Sequence, residues 1–335
     1  MTIKERVDAF VKLGDLIRRL TEDEREKLRT QARAENNWFT PEAVDTALYG
    51  IEMNLYPDKL EEWINKYPVK EKNKTIAVVM AGNVPAVGFH DLLCILLSGN
   101  NAMVRLSSKD APLLTFLIRS LVKVAPAIER KLQITDQLKD MDAVIATGSD
   151  NSSRYFDYYF GKYPHIIRKN RTSVGVLTGE ETEDDIRQLG RDIFLYYGLG
   201  CRNVSKLFAP HEYNFSFLLN ALEPFSTVMQ HHKYHNNYDY NKSIYLVNKE
   251  HHLDNGFLLL KEDPQIVSPI SVLFYESYRN GQDLTAKLNE QENKIQCIVS
   301  KSGHWPGSAA YGKAQFPELD DYADGVDTME FLTRL

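Results

Sequence analysis

The fold class of this 335-residue chain is decided by the stretch Ile76-Ala77-Val78-Val79-Met80-Ala81-Gly82-Asn83-Val84-Pro85. Its first half is a continuous apolar run of strand length, which is typical of a strand buried on both faces of a sheet. A polar turn follows, and then an apolar helical stretch from Gly88 to Leu97. A strand, a turn and a helix in this order predict the start of a parallel α/β unit.

The same alternation continues downstream. Ala102 to Leu106 predicts a second strand, and Ser107-Ser108-Lys109-Asp110 supplies capping residues for a helix from Ala111 to Val124. Ala143 to Ala146 predicts a third strand, which ends in Thr147-Gly148-Ser149. The ligand crevice of a parallel sheet lies beyond the carboxyl ends of its strands, where these polar turns occur. They are therefore candidate binding loops, unless Gly, Ser and Asn occur there only because turns require them.

The segments on either side of this unit have a different character. Before it, apolar residues from Arg6 to Leu20 recur at helical spacing, and Thr40 and Pro41 are an N-cap and a first helical residue. After it, a strand begins near Ser173 and is followed by an acid-capped helix from Glu180 to Tyr197. The turn Gly198-Leu199-Gly200-Cys201 then leads into another strand, so Cys201 is predicted between a helix and a strand.

Composition restricts the partners of the chain. The formal net charge of −6 gives no electrostatic reason to expect nucleic acid. No apolar run approaches the roughly 20 residues that span a bilayer, so we predict a cytoplasmic protein without a membrane span. Three widely spaced cysteines fit neither a disulfide framework nor zinc-ligand spacing. We predict no metal site, because His231, His232 and His235 have no convincing carboxylate or thiolate partner nearby.

The three thiols differ in their surroundings. Cys94 lies among aliphatic residues and is predicted to be an inert core residue, and Cys297 is interpreted as a structural strand residue. Cys201 follows two glycines, which allow the backbone to approach a ligand closely, and precedes Arg202, whose charge favours a thiolate. Cys201 is the candidate nucleophile, although these facts alone leave a structural role open.

Together these motifs resemble the aldehyde dehydrogenase superfamily, and most closely its fatty acyl-CoA reductase branch, the LuxC-like enzymes. The resemblance extends from about Ile76 to the C-terminus. Ala81-Gly82-Asn83-Val84-Pro85 resembles the Trp-Asn-x-Pro loop, which implies that the Asn83 amide helps form an oxyanion hole. Gly198-Leu199-Gly200-Cys201 resembles the Gly-Gln-x-Cys turn of the nucleophile, which implies that role for Cys201.

Two further motifs imply a cofactor site. Ser98 to Ser108 is similar to the element that holds the adenosine ribose, with Arg105 in place of its Lys, and Thr147-Gly148-Ser149 resembles the turn near the cofactor phosphates. Arg105, with Ser107, Ser108 and Lys109 nearby, is a candidate partner for a ribose 2′-phosphate, which favours NADPH over NADH. The alternative is that Arg105 and Lys109 are solvated surface charges.

The segments Cys201 to Lys206, Ala314 to Pro317 and Asp321 to Phe331 resemble the acyl-CoA reductase branch in particular. Hydrolytic relatives carry a Glu upstream of the cysteine to activate water, whereas the corresponding stretch here, Arg168 to Ser173, has no carboxylate. The resemblance therefore implies NAD(P)H-dependent reduction of an acyl-CoA thioester to an aldehyde, with release of CoA. The alternatives are a semialdehyde or phosphorylating dehydrogenase on the same fold, and a non-catalytic subunit of an acyl-transfer complex.

The resemblance also implies an architecture. We expect an α/β, aldehyde-dehydrogenase-like fold, with a parallel Rossmann-type cofactor domain and an α/β catalytic domain. The predicted boundaries are a helical N-terminal segment packed on the cofactor domain (1–70), the cofactor domain (71–172), the catalytic domain (173–313) and a tail (314–335). We expect at least a homodimer, and acyl-transferring partner proteins are a further expectation. Thr328 to Leu335 is interpreted as an intersubunit strand or an ordinary strand of the monomer.

Overall fold

The computed structural model describes residues 1–148 and 150–335. The helices are α1 Ile3–Arg18, α2 Glu22–Glu35, α3 Pro41–Asn54, α4 Pro57–Ile64, α5 Phe89–Leu97, α6 Ala111–Val124, α7 Asp150–Phe160, α8 Glu183–Phe194, α9 Phe215–Ala221, α10 His232–Asn248, α11 Gly281–Glu290 and α12 Thr328–Arg334. The strands are β1 Thr75–Val79, β2 Asn101–Arg105, β3 Leu132–Ile134, β4 Ala143–Thr147, β5 His165–Arg168, β6 Thr172–Val176, β7 Val204–Pro210, β8 Leu253–Asp254, β9 Leu259–Glu262, β10 Val272–Tyr278, β11 Ile295–Ser300 and β12 Ala309–Ala310.

These elements form two compact units. Unit 1 comprises Met1–Asn170 and Pro317–Leu335, and unit 2 comprises Arg171–Phe316. Within the described ranges, no helix is both long and apolar enough to cross a membrane.

Unit 1 is built on a sheet with the strand order β3-β2-β1-β4-β5, and each described pairing in it is parallel. The predicted α/β alternation is confirmed, because β1, β2 and β4 lie where the apolar runs placed strands, to within a residue at each end. Val79 pairs with both Arg105 and Ala146, so these three strands end at the same level. The three polar turns therefore follow one edge of the sheet.

The N-terminal helices belong to the core of unit 1. Thr2 and Thr21 each form a capping box at the start of a helix, and Thr40 with Pro41 starts α3 as predicted. Phe10 and Leu13 of α1 are fully buried in the same cluster as the aliphatic residues of α5. A helix that the sequence analysis did not identify, α2, lies between the two that it did.

The C-terminal segment completes unit 1. Trp63 Nε1 donates to the Tyr322 hydroxyl at 3.0 Å, and Tyr67 OH donates to Asp327 at 2.9 Å. The interpretation of Thr328 to Leu335 as a strand is wrong, because Asp327 accepts the Glu330 N–H and caps a helix whose Met329 and Leu332 are buried. Helical spacing places both side chains on the face toward the core, whereas an extended chain would place them on opposite faces.

Unit 2 contains a sheet with the order β12-β11-β6-β7-β10-β9-β8. Its described pairings are parallel, except that β8 runs antiparallel to β9. Thr182 caps α8 through a capping box with Asp185, in agreement with the acid-capped start predicted for this helix. β6 and β7 are adjacent and start at the same level, where Ser173 pairs with Val204. The segment between α8 and β7, which carries Cys201, therefore lies at the amino edge of this sheet.

Candidate active site

The loop that carries Asn83 follows β1 in unit 1. Asn83 is exposed, whereas its neighbours Val84 and Ala86 are buried. Ala86 has a φ of 55°, a left-handed conformation that is unfavourable for a residue with a Cβ. Its N–H donates to Oδ2 of the buried Asp110 at 2.7 Å. Asp110, which the sequence analysis treated only as a capping residue, therefore anchors the strained part of the loop.

A close backbone approach joins this loop to the segment after β2. A Cβ on Gly82 would lie 2.4 Å from Ser107 Oγ and 3.1 Å from Lys109 Cβ, so only glycine fits there. Asn36, at the end of α2, donates from Nδ2 to the Gly82 carbonyl at 3.3 Å. The structure thus places the Asn83 loop against the predicted ribose segment and also against a helix for which the sequence analysis assigned no role in the site.

The predicted cofactor residues after β2 are accessible. Arg105, Ser108 and Lys109 are exposed and Ser107 is half-buried, and Ser107 Oγ accepts the Lys109 N–H at 3.3 Å. These hydroxyl and cationic groups lie at the carboxyl edge of the unit 1 sheet. They offer hydrogen-bond donors and positive charge to an anionic ligand.

The second predicted cofactor turn follows β4. Thr147 and Gly148 are half-buried, and a Cβ on Gly148 would lie 2.8 Å from the Phe156 ring, so the turn is held close to α7. Ser149 lies outside the described residues. Thr147 Oγ1 is 3.5 Å from Nη1 of Arg168, which forms a buried ion pair with Asp91.

Cys201 lies in unit 2, between α8 and β7, as predicted. Its side chain is partly exposed, and Ser173 Oγ donates to its carbonyl at 3.1 Å. The next residue, Arg202, donates to the Ala314 carbonyl at 3.4 Å. The buried Asp192 of α8 binds the segment that contains Ala314, because its carboxyl oxygens accept the N–H groups of Gly312 at 2.7 Å and Ala314 at 3.1 Å. Cys201 is thus a partly exposed cysteine on a turn that hydrogen bonds attach to neighbouring segments.

The other two thiols have different environments. Cys94 is fully buried, and burial raises the pKa of its thiol well above the usual range, with the Asp91 charge adding to the effect. Cys297 lies on β11, is partly exposed and donates to the Ile298 carbonyl at 3.5 Å. Because the thiolate is the nucleophilic form, Cys94 is unsuited to catalysis.

The three histidines are close in sequence but form no described metal site. His231 caps α10 by accepting the Tyr234 N–H and lies over the Tyr197 ring with a centroid distance of 4.6 Å. His235 Nε2 is 3.4 Å from an Asp239 oxygen on the exposed side of α10. No group of three or more potential metal ligands occurs among the side chains that the structure describes.

Burial gives Asp110 an unusual titration. It raises the pKa of the carboxyl from 3.8 to about 8, against the opposing effect of the Ala86 N–H. The folded state therefore retains a proton that the unfolded chain releases above about pH 4. We expect this group to reduce stability by about 1.4 kcal/mol for each pH unit between about 4 and 8.

The substitution Asp110→Asn tests this effect because its amide oxygen still accepts the Ala86 N–H and does not titrate. Urea unfolding of both proteins from pH 5 to pH 8 should show the variant gaining stability relative to the parent as the pH rises. Burial raises the pKa of Asp192 to about 7 as well, so the comparison of the two proteins, not the parent alone, isolates Asp110. Parallel pH profiles would contradict the expectation.

Known structures resemble more than nine-tenths of the chain in fold. An aldehyde dehydrogenase from Bacillus cereus, solved as an NAD+ complex, shares 13% identity at a TM-score of 0.63, covering 91% of this chain and 74% of its own. An NAD-dependent aldehyde dehydrogenase from Sinorhizobium meliloti shares 11% identity at a TM-score of 0.70, covering 92% and 72%. At such low identity the likeness establishes the fold, which is the aldehyde dehydrogenase fold expected from the sequence.

The family follows from a separate comparison. The model of the acyl-CoA reductase (LuxC) family matches residues 12–214, which is more than half of the chain. No curated protein sequence matches. The chain belongs to the acyl-CoA reductase (LuxC) family and is an oxidoreductase of that class. The match also begins well before Ile76, so the N-terminal helices, for which the sequence analysis found no motif, are in large part included in it.

Proposed function

We propose that this protein reduces an acyl-CoA thioester to an aldehyde through an acyl-enzyme on Cys201. The observation that carries the proposal is the partly exposed Cys201 on the turn before β7, in a chain of the acyl-CoA reductase family. In this scheme the thiolate attacks the thioester carbonyl, and the bond to the CoA sulfur breaks. The oxyanion accepts hydrogen bonds from the Cys201 backbone N–H and the Asn83 amide.

A reduced nicotinamide, when bound, supplies the hydride that converts the acyl-enzyme to the aldehyde level. The residues after β2 fit such a group, because Arg105, Ser108 and Lys109 are exposed at the strand end and offer positive charge and hydrogen-bond donors. Cleavage of the carbon–sulfur bond to Cys201 then frees the aldehyde and restores the thiolate. The related structures named above support a nicotinamide cofactor, and Arg105 supports NADPH.

The fate of the acyl group depends on water being a poor competitor. The stretch Arg168 to Ser173 contains no carboxylate to act as a general base, and Arg168 is already paired with Asp91. A water molecule near the thioester would therefore lack activation from this stretch. This favours exchange with CoA over hydrolysis to the free acid.

The cofactor preference gives one prediction. Arg105→Ala should raise the KM for NADPH by at least about tenfold and leave that for NADH nearly unchanged, because a charge-assisted hydrogen bond to the 2′-phosphate contributes about 1.5 to 3 kcal/mol. Initial rates with both cofactors measure this. Lys123→Ala, which removes an exposed cation of α6, is the matched control. Equal changes for NADPH and NADH would contradict a 2′-phosphate contact.

The activity itself is tested by following absorbance of the reduced nicotinamide with a panel of acyl-CoA thioesters while free thiol is measured in parallel. We expect one CoA released for each NADPH consumed, with a rate maximum that identifies the preferred chain length. Turnover of phosphate-activated acids without thiol release would overturn the proposal.

We further propose that the protein is at least a homodimer, which light scattering coupled to size-exclusion chromatography checks.

A further inference from the structure

The backbone immediately before the Cys201 turn is strained. Tyr196, Tyr197 and Gly198 have φ values of 57°, 55° and 77°, so three consecutive residues are in the left-handed region. Only the last of these is a glycine, and residues with a Cβ disfavour this conformation. A run of this kind persists only where surrounding interactions hold both of its ends.

The side chain of Asn203 connects those two ends. Its Oδ1 accepts the Gly200 N–H at 2.9 Å, on the Cys201 side of the run. Its Nδ2 lies within hydrogen-bond distance of the carbonyls of Asp192 at 3.1 Å and Ile193 at 3.2 Å, and also of the Leu195 carbonyl, on the α8 side. Asn203 is 1% exposed, so water does not substitute for these bonds.

The chemistry of the amide explains why an asparagine is suited to this position. The last carbonyls of a helix have no intrahelical partner and need donors, whereas the Gly200 N–H needs an acceptor. A carboxamide supplies both from one short side chain. An aspartate retains the acceptor but repels the carbonyls, and an alanine removes the hydrogen bonds to all of these groups.

Cys201 is therefore held by a small set of bonds on both sides. The Asn203 N–H donates to the Gly200 carbonyl at 3.0 Å, and Ser173 Oγ donates to the Cys201 carbonyl at 3.1 Å. We propose that Asn203 is a positioning residue that fixes the Gly200–Cys201 backbone and thereby sets the reactivity of the Cys201 thiol. This inference rests on the proposed role of Cys201 as the nucleophile.

The test measures the thiol directly as well as turnover. Iodoacetamide alkylation of Cys201 is followed by peptide mass spectrometry from pH 5 to pH 10, with Cys94 and Cys297 in the same digest as references. In Asn203→Ala we expect kcat to fall by about 10²-fold with little change in the KM for acyl-CoA, since a displacement of about 1 Å has such an effect. The pH midpoint of Cys201 alkylation should also shift from that of the parent, because the backbone that positions the thiol is no longer held.

Asn241→Ala is the matched control, because Asn241 is also a buried asparagine of unit 2, and its Nδ2 donates to the Ile270 carbonyl at 3.0 Å. It should lower thermal stability but leave kcat and the Cys201 midpoint unchanged. An Asn203→Ala protein that is folded and keeps the parent's kcat and midpoint would overturn the inference.

If Asn203→Ala does not fold, Gly198→Ala decides the matter. An added Cβ at Gly198 meets no atom within 4 Å, so this variant strains the left-handed run without a steric clash. It should shift the Cys201 midpoint in the same direction, and an unchanged midpoint would reject the inference. Full turnover by Cys201→Ala would instead reject the proposed function. The Cys201 alkylation data for the Asn203→Ala variant would be unaffected by that result.

Discussion

Cys201→Ala should lower acyl-CoA-dependent oxidation of NADPH by at least ~10³-fold, because alanine removes the thiol that forms the proposed covalent intermediate. Cys201→Ser should also be severely impaired, since a hydroxyl is a far weaker nucleophile at neutral pH than a thiol. Incubation of the parent protein with acyl-CoA alone should release about one equivalent of free CoA per active site and leave the acyl group on the Cys201 peptide.

The other two cysteines provide the controls. Cys297→Ala should keep parent activity, because the Cys297 thiol on β11 has no role in the scheme. Cys94→Ala should also keep it, at some cost in stability from the small cavity left in the unit 1 core. An acyl adduct on Cys297, or turnover by Cys201→Ala at the rate of the parent, would show that Cys201 is not the nucleophile.

Arg168→Met should lower the free energy of unfolding by about 3 to 5 kcal/mol, because it leaves the Asp91 carboxylate buried without its partner. Both side chains are at most 7% exposed, and their closest atoms, Nη1 and Oδ2, are 2.5 Å apart. Arg168 Nη2 also donates to Thr328 Oγ1 at 2.9 Å, so the substitution removes a contact between β5 and α12. Urea unfolding at pH 7 measures the change.

A second substitution separates the cost of an unpaired charge from the value of the pair. Arg168→Met combined with Asp91→Leu should recover most of the lost stability, since replacing both members of a buried pair by apolar residues is often neutral. Arg187→Met breaks the exposed pair with Glu183 and should change stability by no more than about 0.5 kcal/mol. A double variant as unstable as the single one would show that the loss comes from packing and not from the charge.

The fold class was accessible from the sequence because the central strands of unit 1 are buried runs. β1, β2 and β4 combine continuous apolar character with polar turns at their ends, which few other structures produce. β3 and β5 were missed because they have only three and four residues and incomplete burial. α12 was taken for a strand because five residues such as Thr328 to Leu332 have too few turns to show a helical period.

The candidate site was accessible to the extent that its groups are local in sequence. Two glycines and an arginine beside Cys201 indicated an approachable thiol. Asn36 and Asp110 contact the Asn83 loop across 46 and 24 positions of the chain, respectively. The local sequence pattern does not predict contacts between such distant residues. In the sequence, Arg168 drew attention only as part of a stretch without a carboxylate. Its role as the buried partner of Asp91 depends on a contact between distant positions, which the local sequence does not reveal.

The discontinuity of unit 1 has a consequence for biosynthesis. Trp63 and Tyr322 are 259 positions apart, yet they are joined by a hydrogen bond in the interior of that unit. On the ribosome, all of Arg171–Phe316 is made before Tyr322, Met329 and Leu332 exist. Unit 2 is thus the first whose full set of residues becomes available to fold. Until α12 is made, the apolar surface that it covers remains accessible to solvent in the nascent unit 1. Aggregation is therefore favoured at this stage.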